Sequence, residues 1–441
     1  MLKTASKGDK VTFVNGLTSG LLLAGLVFSN SLSAQELRAC GRTAGSLPDN
    51  QRPAGFPDVR NPIEHIVVIM QENHSFDSYF GKLNQKAYYG SQIDGALRTM
   101  TNPDANGNPV PRYHYTSLCP QDPDHTWDAM HKSWNDGHND GFVKVNGANA
   151  MGYFDQTDLQ FYYDLANKFA VADRYFASTM TQTFPNRFFL LAATAFGHIR
   201  NDLPRSKNEF PQKTIFDVLN QYNVSWKYYK DGIGYLALFQ PLYWGNITKM
   251  VPIKEFAKDL SLNTLPQVVF IDSDADGEDE HPDGNVQEGQ LFVEARIQEL
   301  MASTSWNNSV LFLTYDENGG FYDHVSPPSA CVPDDVEPVL GGNEGTEPGR
   351  YDRYGFRVPF VAVSPYAKHH YVSHRTYDHT SILKYIETKF NLPALTQRDA
   401  NADGLRELFD YDHPVFKTEL NKVVVDNSKN CNLINLDRDS D

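Results

Sequence analysis

The sequence is short of positive charge: 39 Lys and Arg stand against 55 Asp and Glu, a formal net charge of -16 over 441 residues. There is no Lys/Arg run, and a nucleic-acid partner needs a concentrated basic face, so that class is excluded. A phosphate-bearing substrate is not excluded, because a bound metal can supply positive charge locally. Cysteine is scarce too. Cys40, Cys119, Cys331 and Cys431 include no C-x-x-C pair, which rules out a zinc ribbon or a thioredoxin-type site. In an exported chain their even number points to one or two disulfides, and the expected pairing is Cys40 with Cys431 and Cys119 with Cys331. No internal repeat is present.

What is there begins with a targeting pattern. Lys3, Lys7 and Lys10 precede an apolar stretch, 16–28, with Leu21-Leu22-Leu23 at its centre. Small residues follow at Ser31-Leu32-Ser33-Ala34, and the apolar run is too short for a membrane span. No twin-Arg pair precedes it. Residues 1–33 are therefore expected to be a Sec-type signal peptide, and the protein to be secreted, periplasmic or extracellular. Beyond it the expected divisions are an N-terminal extension at 34–59, a catalytic domain at 60–415 and a tail at 416–441.

With 40% hydrophobic and 12% aromatic residues the chain can bury a sizeable core. Four β-rich runs, 65–70, 267–271, 310–315 and 358–363, are apolar throughout. Such strands suit a sheet buried on both faces, hence a parallel one. Amphipathic stretches at 215–222, 290–302 and 380–390 lie between or after them. The alternation indicates an α/β sandwich, with a mostly parallel central sheet flanked by helices on both faces. Residues 96–124 and 326–356 read as long loops, which in a compact domain are usually functional or mobile.

Ligands of α/β sheets bind at the carboxyl ends of the strands. The first strand runs into Glu72-Asn73-His74, and the strand ending at Tyr315 runs into Asp316-Glu317-Asn318. Hard oxygen donors of this kind suit a divalent cation. His125, His281, His324 and His379 each have an acidic residue within one position and lie in loops or at element ends, a pattern that suits proton transfer and charge stabilisation. Thr183-Phe184-Pro185-Asn186-Arg187 opens an apolar helical stretch. Pro185 fits its first turn and places Thr183 at or near the N-cap. A hydroxyl there is either a simple cap or a nucleophile activated by a metal or base. Two further segments approximate EF-hand loops: Asp272, Asp274, Asp276 and Asp283, and Asp399, Asn401, Asp403 and Asp410. Each has Asp where Glu is usual, and neither is clearly flanked by two helices, so neither is assigned calcium.

These segments together resemble the bacterial phospholipase C and acid phosphatase family of phosphoesterases. Residues 63–81 are similar to its opening signature. Met151-Gly152-Tyr153, Phe161-Tyr162-Tyr163, the Thr-Phe-Pro-Asn-Arg segment, Glu280-His281-Pro282 and the block 314–325 resemble further family blocks in the same order. The resemblance implies an alkaline-phosphatase-like α/β fold and phosphate-ester hydrolysis at a metal. It implies Glu72, Asn73, Asp316 and Glu317 as metal ligands and Thr183 as the nucleophile. It also implies His125, His281, His324 and His379 as lining the phosphate pocket, while Asn186 or Arg187 would hold phosphoryl oxygens. One departure is His74, where many members carry Arg.

The expected activity is a phospholipase C that forms a phospho-threonine intermediate; Thr183 favours it, since the phosphatase branch tends to have Ser. An acid phosphatase using the same site is the alternative, and a non-catalytic lipid- or surface-binding protein is the alternative of another class. Zinc is the expected cofactor, with calcium or manganese compatible. The expected partners are a phospholipid or phosphate-ester substrate and a transiently touched membrane surface, with no obligate protein partner. Tyr228, Tyr229, Tyr243 and Trp244 are aromatics that either pack in the core or meet lipid.

Overall fold

The computed structural model describes residues 40–273, 277–429 and 431. The signal-peptide expectation therefore lies outside the described residues. At the centre is an eight-stranded sheet. Its strands are β1 (His65–Gln71), β2 (Ala170–Ala172), β3 (Trp226–Lys230), β4 (Met250–Pro252), β5 (Val268–Asp272), β6 (Ser309–Tyr315), β7 (Phe360–Val363) and β8 (Tyr371–Ser373), in the order β8-β2-β7-β6-β1-β5-β3-β4.

The central strands are apolar because both faces are covered, and β1, β5 and β6 are buried almost end to end. Two groups of helices cover them. One group contains Thr183–Ala192, Ile215–Gln221 and His379–Phe390; the other contains Gln160–Lys168, Lys254–Ser261 and Val286–Met301. The expected architecture is present, with one correction. The run at 358–363 forms β7, which pairs antiparallel with both β6 and β2. Burial on both faces makes a strand apolar whichever way it runs, so composition alone does not fix its direction.

Register aligns the strand ends. Gln71 of β1 lies opposite Tyr315 of β6, and Ile69 lies opposite Ile271 of β5. Three neighbouring parallel strands thus release Glu72, Asp272 and Asp316 at one edge. The segment 326–356 carries no helix or strand, as expected of a long loop, whereas 96–124 holds three short strands.

The disulfides correct another expectation. They join Cys40 to Cys331 and Cys119 to Cys431. The sequence order of four cysteines does not determine which pairs the fold brings together, and here the two expected partners are exchanged. Among the described residues no helix is long and apolar enough to cross a membrane.

Candidate active site

The first side of the site is the turn after β1. Glu72 N–H donates to the Asp279 carbonyl (2.7 Å), and Asp316 N–H donates to the Gln71 carbonyl (3.1 Å), which ties the strand ends together. Gly319, with φ +60°, lets the Asp316 turn close: a Cβ there would stand 2.2 Å from the Asn73 carbonyl oxygen.

The second side is the helix Thr183–Ala192, with Thr183 as its first residue and Pro185 in its first turn. Thr183 is buried, and its hydroxyl lies 3.5 Å from Glu72 Oε2. Asn186 secures the approach to this helix. Its amide donates to the carbonyls of Thr179 (3.2 Å), Thr181 (2.8 Å) and Gln182 (3.1 Å) and accepts from Thr179 N–H (3.0 Å). Those bonds engage the amide with its own loop rather than with the cluster.

Arg187, one residue on, enters the carboxylates. It lies 3.1 Å from Glu72, 3.5 Å from Asp272 and 3.5 Å from Asp316, with its guanidinium 3.8 Å above the Tyr235 ring. The Tyr235 hydroxyl donates to Glu72, and its N–H donates to Asp272 (2.9 Å). Sequence reasoning missed Tyr235 and Asp279, and it met Asp272 only as part of an EF-hand-like segment given no role. Asp272 ends a buried strand as Gln71 and Tyr315 do, so the strand-end rule that found Asp316 could have found it.

Beyond Glu72, Asn73 Nδ2 lies 3.4 Å from His125 Nε2, which is 3.9 Å from Glu317 Oε1. His281 is next to His125, the ring centroids 5.9 Å apart, and with Asp122 these two form a group able to hold an ion. Burial opposes charge on His125, but Glu317 and Asp122 outweigh it and raise its pKa well above the usual value. His281 is also raised: burial opposes this, and Glu72 and Asp122 prevail.

His379 lies beneath the Asp316 turn, its Nε2 2.6 Å from the Asp316 carbonyl and its Nδ1 3.2 Å from the Tyr175 hydroxyl. Burial lowers its pKa to about 3, so the ring is neutral and holds the peptide. His324 stands apart. Its Nδ1 lies 2.6 Å from Asp77 and its Nε2 3.0 Å from Asp94, which engages both nitrogens away from the cluster. His74 is a core residue, stacked between Tyr79 and Phe321 with centroids at 4.2 and 4.9 Å.

The donor set fits a divalent cation. Asn73 Oδ1, Asp316 Oδ2 and Glu317 Oε1 are buried oxygens without a hydrogen-bond partner. Buried polar atoms are rarely left so, and here they belong to neighbouring residues of one cluster. Burial and the Glu72 charge raise Asp316 to about 7 against the pull of Arg187. Burial also raises Glu317 well above the usual carboxylate range, with His125 opposing. A cation among these oxygens would relieve both strains.

Glu280 supports the arrangement from behind. Fully buried, its carboxylate accepts from the hydroxyls of Tyr79 (2.7 Å), Tyr315 (2.7 Å) and Tyr162. This holds Asp279 and His281 on either side of it, and ties the 161–163 block to the site. The EF-hand-like segments serve other ends. Asp399 caps the helix Gln397–Asn401, and Asp403 pairs with Arg375; Asp274 and Asp276 lie outside the described residues.

A cleft of about 980 Å³ opens onto Arg187, Asp272 and Asp279. Carboxylates, an amide and a hydroxyl gather at the carboxyl ends of parallel strands, where α/β sheets bind their ligands. The Phosphoesterase family matches residues 63–393, and the chain belongs to that family. It is a phosphoric ester hydrolase. Phospholipase C B of Mycobacterium tuberculosis is 30% identical over 453 residues, covering 88% of this chain and 85% of the relative. Non-specific phospholipase C1 of Arabidopsis thaliana is 32% identical over 394 residues, 80% of this chain and 72% of the relative. The non-hemolytic phospholipase C of Burkholderia pseudomallei is 31% identical over 79% of this chain, and the match spans only 58% of that longer protein. A solved protein in the alkaline phosphatase superfamily from Vibrio parahaemolyticus aligns with a TM-score of 0.40 at 9% identity over 85% of each chain.

Proposed function

We infer that the protein is an exported, metal-dependent phospholipase C that cleaves glycerophospholipids to diacylglycerol and a phosphorylated head group. One observation carries this reading: a buried threonine hydroxyl, 3.5 Å from Glu72, belongs to a cluster in which one oxygen each of Asn73, Asp316 and Glu317 has no hydrogen-bond partner. The relatives named phospholipase C support the substrate class.

Glu72, Asn73, Asp316 and Glu317 would hold the cation, with zinc favoured and calcium or manganese compatible with the donors. When bound, it lowers the pKa of a hydroxyl and polarises a phosphoryl oxygen. Thr183 Oγ1 gives its proton to Glu72 Oε2, 3.5 Å away, and attacks phosphorus, so the bond to the diacylglycerol oxygen breaks and a phospho-threonine forms. Arg187 balances Glu72, Asp272 and Asp316 and keeps Glu72 beside the hydroxyl. His125 or His281, whose pKa values Glu317, Glu72 and Asp122 raise against burial, gives its proton to the departing alkoxide. The ring then takes a proton from water, whose oxygen attacks the phospho-threonine, and Glu72 returns its proton to the Thr183 oxygen as the phosphorylated head group leaves. His379 holds the Asp316 turn and Asn186 the approach to the Thr183 helix, so these two position the backbone that carries these groups. Export is read from residues 1–33 of the sequence.

Replacing Thr183 with Ala tests the reading. Hydrolysis of phosphatidylcholine falls by about a thousandfold or more with the circular dichroism spectrum unchanged. Unchanged turnover would remove Thr183 from the reaction.

A further inference from the structure

The cleft beside Arg187 is more apolar than phosphate chemistry requires. Phe184 and Leu238 line its wall, and Leu203, Ile233 and Trp244 stand at its edge with 68%, 76% and 62% of their surface exposed. Clustered large apolar side chains in water are unusual, and they mark an interaction surface when they surround one opening. Ile233 is displayed on a fixed turn. Gly234, beside it, has φ +76°, and a Cβ there would stand 2.9 Å from Lys230 Cδ.

Two features select the occupant. The edge is continuous with the proposed reaction site, since the same cleft reaches Phe184 and Arg187 on the Thr183 helix. It also lacks free positive charge. Among the described residues Arg187 is the one Lys or Arg lining the cleft, and it is held by Glu72, Asp272 and Asp316, on a chain of net charge -16. An anionic partner is therefore not attracted, whereas a zwitterionic lipid interface accepts Trp and aliphatic side chains at head-group depth.

We propose that Leu203, Ile233 and Trp244 insert into the interfacial layer of a zwitterionic phospholipid bilayer, and that the cleft takes the acyl part of a lipid whose phosphate reaches Thr183. The proposal rests on the phospholipase reading above and names the surface through which that reaction meets its substrate. The buried site would then be fed along an apolar path, without the whole lipid passing through water.

The test is co-sedimentation with sucrose-loaded phosphatidylcholine vesicles, using the full chain with Thr183→Ala so that the lipid stays intact. Ile233→Asp with Trp244→Asp should weaken partition at least about tenfold, while Val59→Asp, an exposed apolar position outside the cleft, leaves it unchanged. Near-ultraviolet circular dichroism confirms that each variant is folded. Equal partition of the double variant, or no vesicle binding at all, overturns the proposal. So does a dimer in light scattering that the double variant turns into a monomer with vesicle partition unchanged; the edge would then belong to a second copy. Turnover of a water-soluble phosphorylcholine ester by the unaltered chain reads the phospholipase assignment separately. Turnover there with failed vesicle binding removes only the docking surface, and vesicle binding lost in the double variant with no turnover on any phosphate ester removes only the enzyme reading.

Discussion

His324 gives the sharpest link between geometry and stability. Burial favours its neutral ring, but Asp77 and Asp94 outweigh burial and the nearby Arg357 and raise its pKa from 6.5 to about 9. A group raised in the folded state contributes stability that is complete below its unfolded value and is lost as pH climbs through the folded one. The window is therefore pH 6.5 to about 9. At roughly 1.4 kcal/mol per pH unit, the shift of His324 corresponds to about 3 kcal/mol. Asp77 is held well below its usual range and Asp94 at about 2, so neither partner titrates inside that window. Urea unfolding of the unaltered chain and of His324→Gln should be compared at several pH values from 6 to 10. The stability difference between them should shrink by about 3 kcal/mol across this range. A difference independent of pH would refute the cationic ring.

Three further outcomes follow from the supports of the site. Glu280→Ala leaves the hydroxyls of Tyr79, Tyr162 and Tyr315 without their acceptor, and should cost about 3–5 kcal/mol in urea unfolding; an unchanged midpoint would contradict that role. His379→Gln should lower kcat by roughly tenfold through a looser Asp316 turn. Its pH profile should not move, because the ring is neutral above about pH 3; loss of a limb in the profile would make it a proton donor instead. Non-reducing peptide mapping should link Cys40 to Cys331 and Cys119 to Cys431, and recovery of a Cys40–Cys431 peptide would refute the connectivity.

The sheet was legible because burial on both faces leaves uninterrupted apolar runs, and β1, β5 and β6 lie where those runs predict. The direction of β7 was not legible, since an antiparallel strand between covering layers has the same composition. Helix starts were readable where local chemistry marks them, as Pro185 marks the first turn after Thr183. The candidate ligands were visible as polar residues directly following apolar strands. What stayed hidden joins residues far apart. Tyr235 meets Glu72 across 163 positions, and Glu280 gathers three tyrosines from separate segments. No local pattern records such meetings. The histidines show the same limit: an acidic neighbour in sequence flagged all four alike, whereas the fold gives His125 and His281 the cluster, His379 a peptide and His324 two other aspartates.

The most direct test of a metal-dependent phospholipase C is hydrolysis of phosphatidylcholine beside an aryl phosphomonoester, by the chain lacking residues 1–33, before and after chelation and with single ions restored. The expected result is release of diacylglycerol that chelation abolishes and one divalent ion, zinc foremost, restores, with the monoester turned over more slowly. Lipid hydrolysis indifferent to chelation would contradict the role of Glu72, Asn73, Asp316 and Glu317. Turnover of the monoester alone would assign the site to a phosphatase.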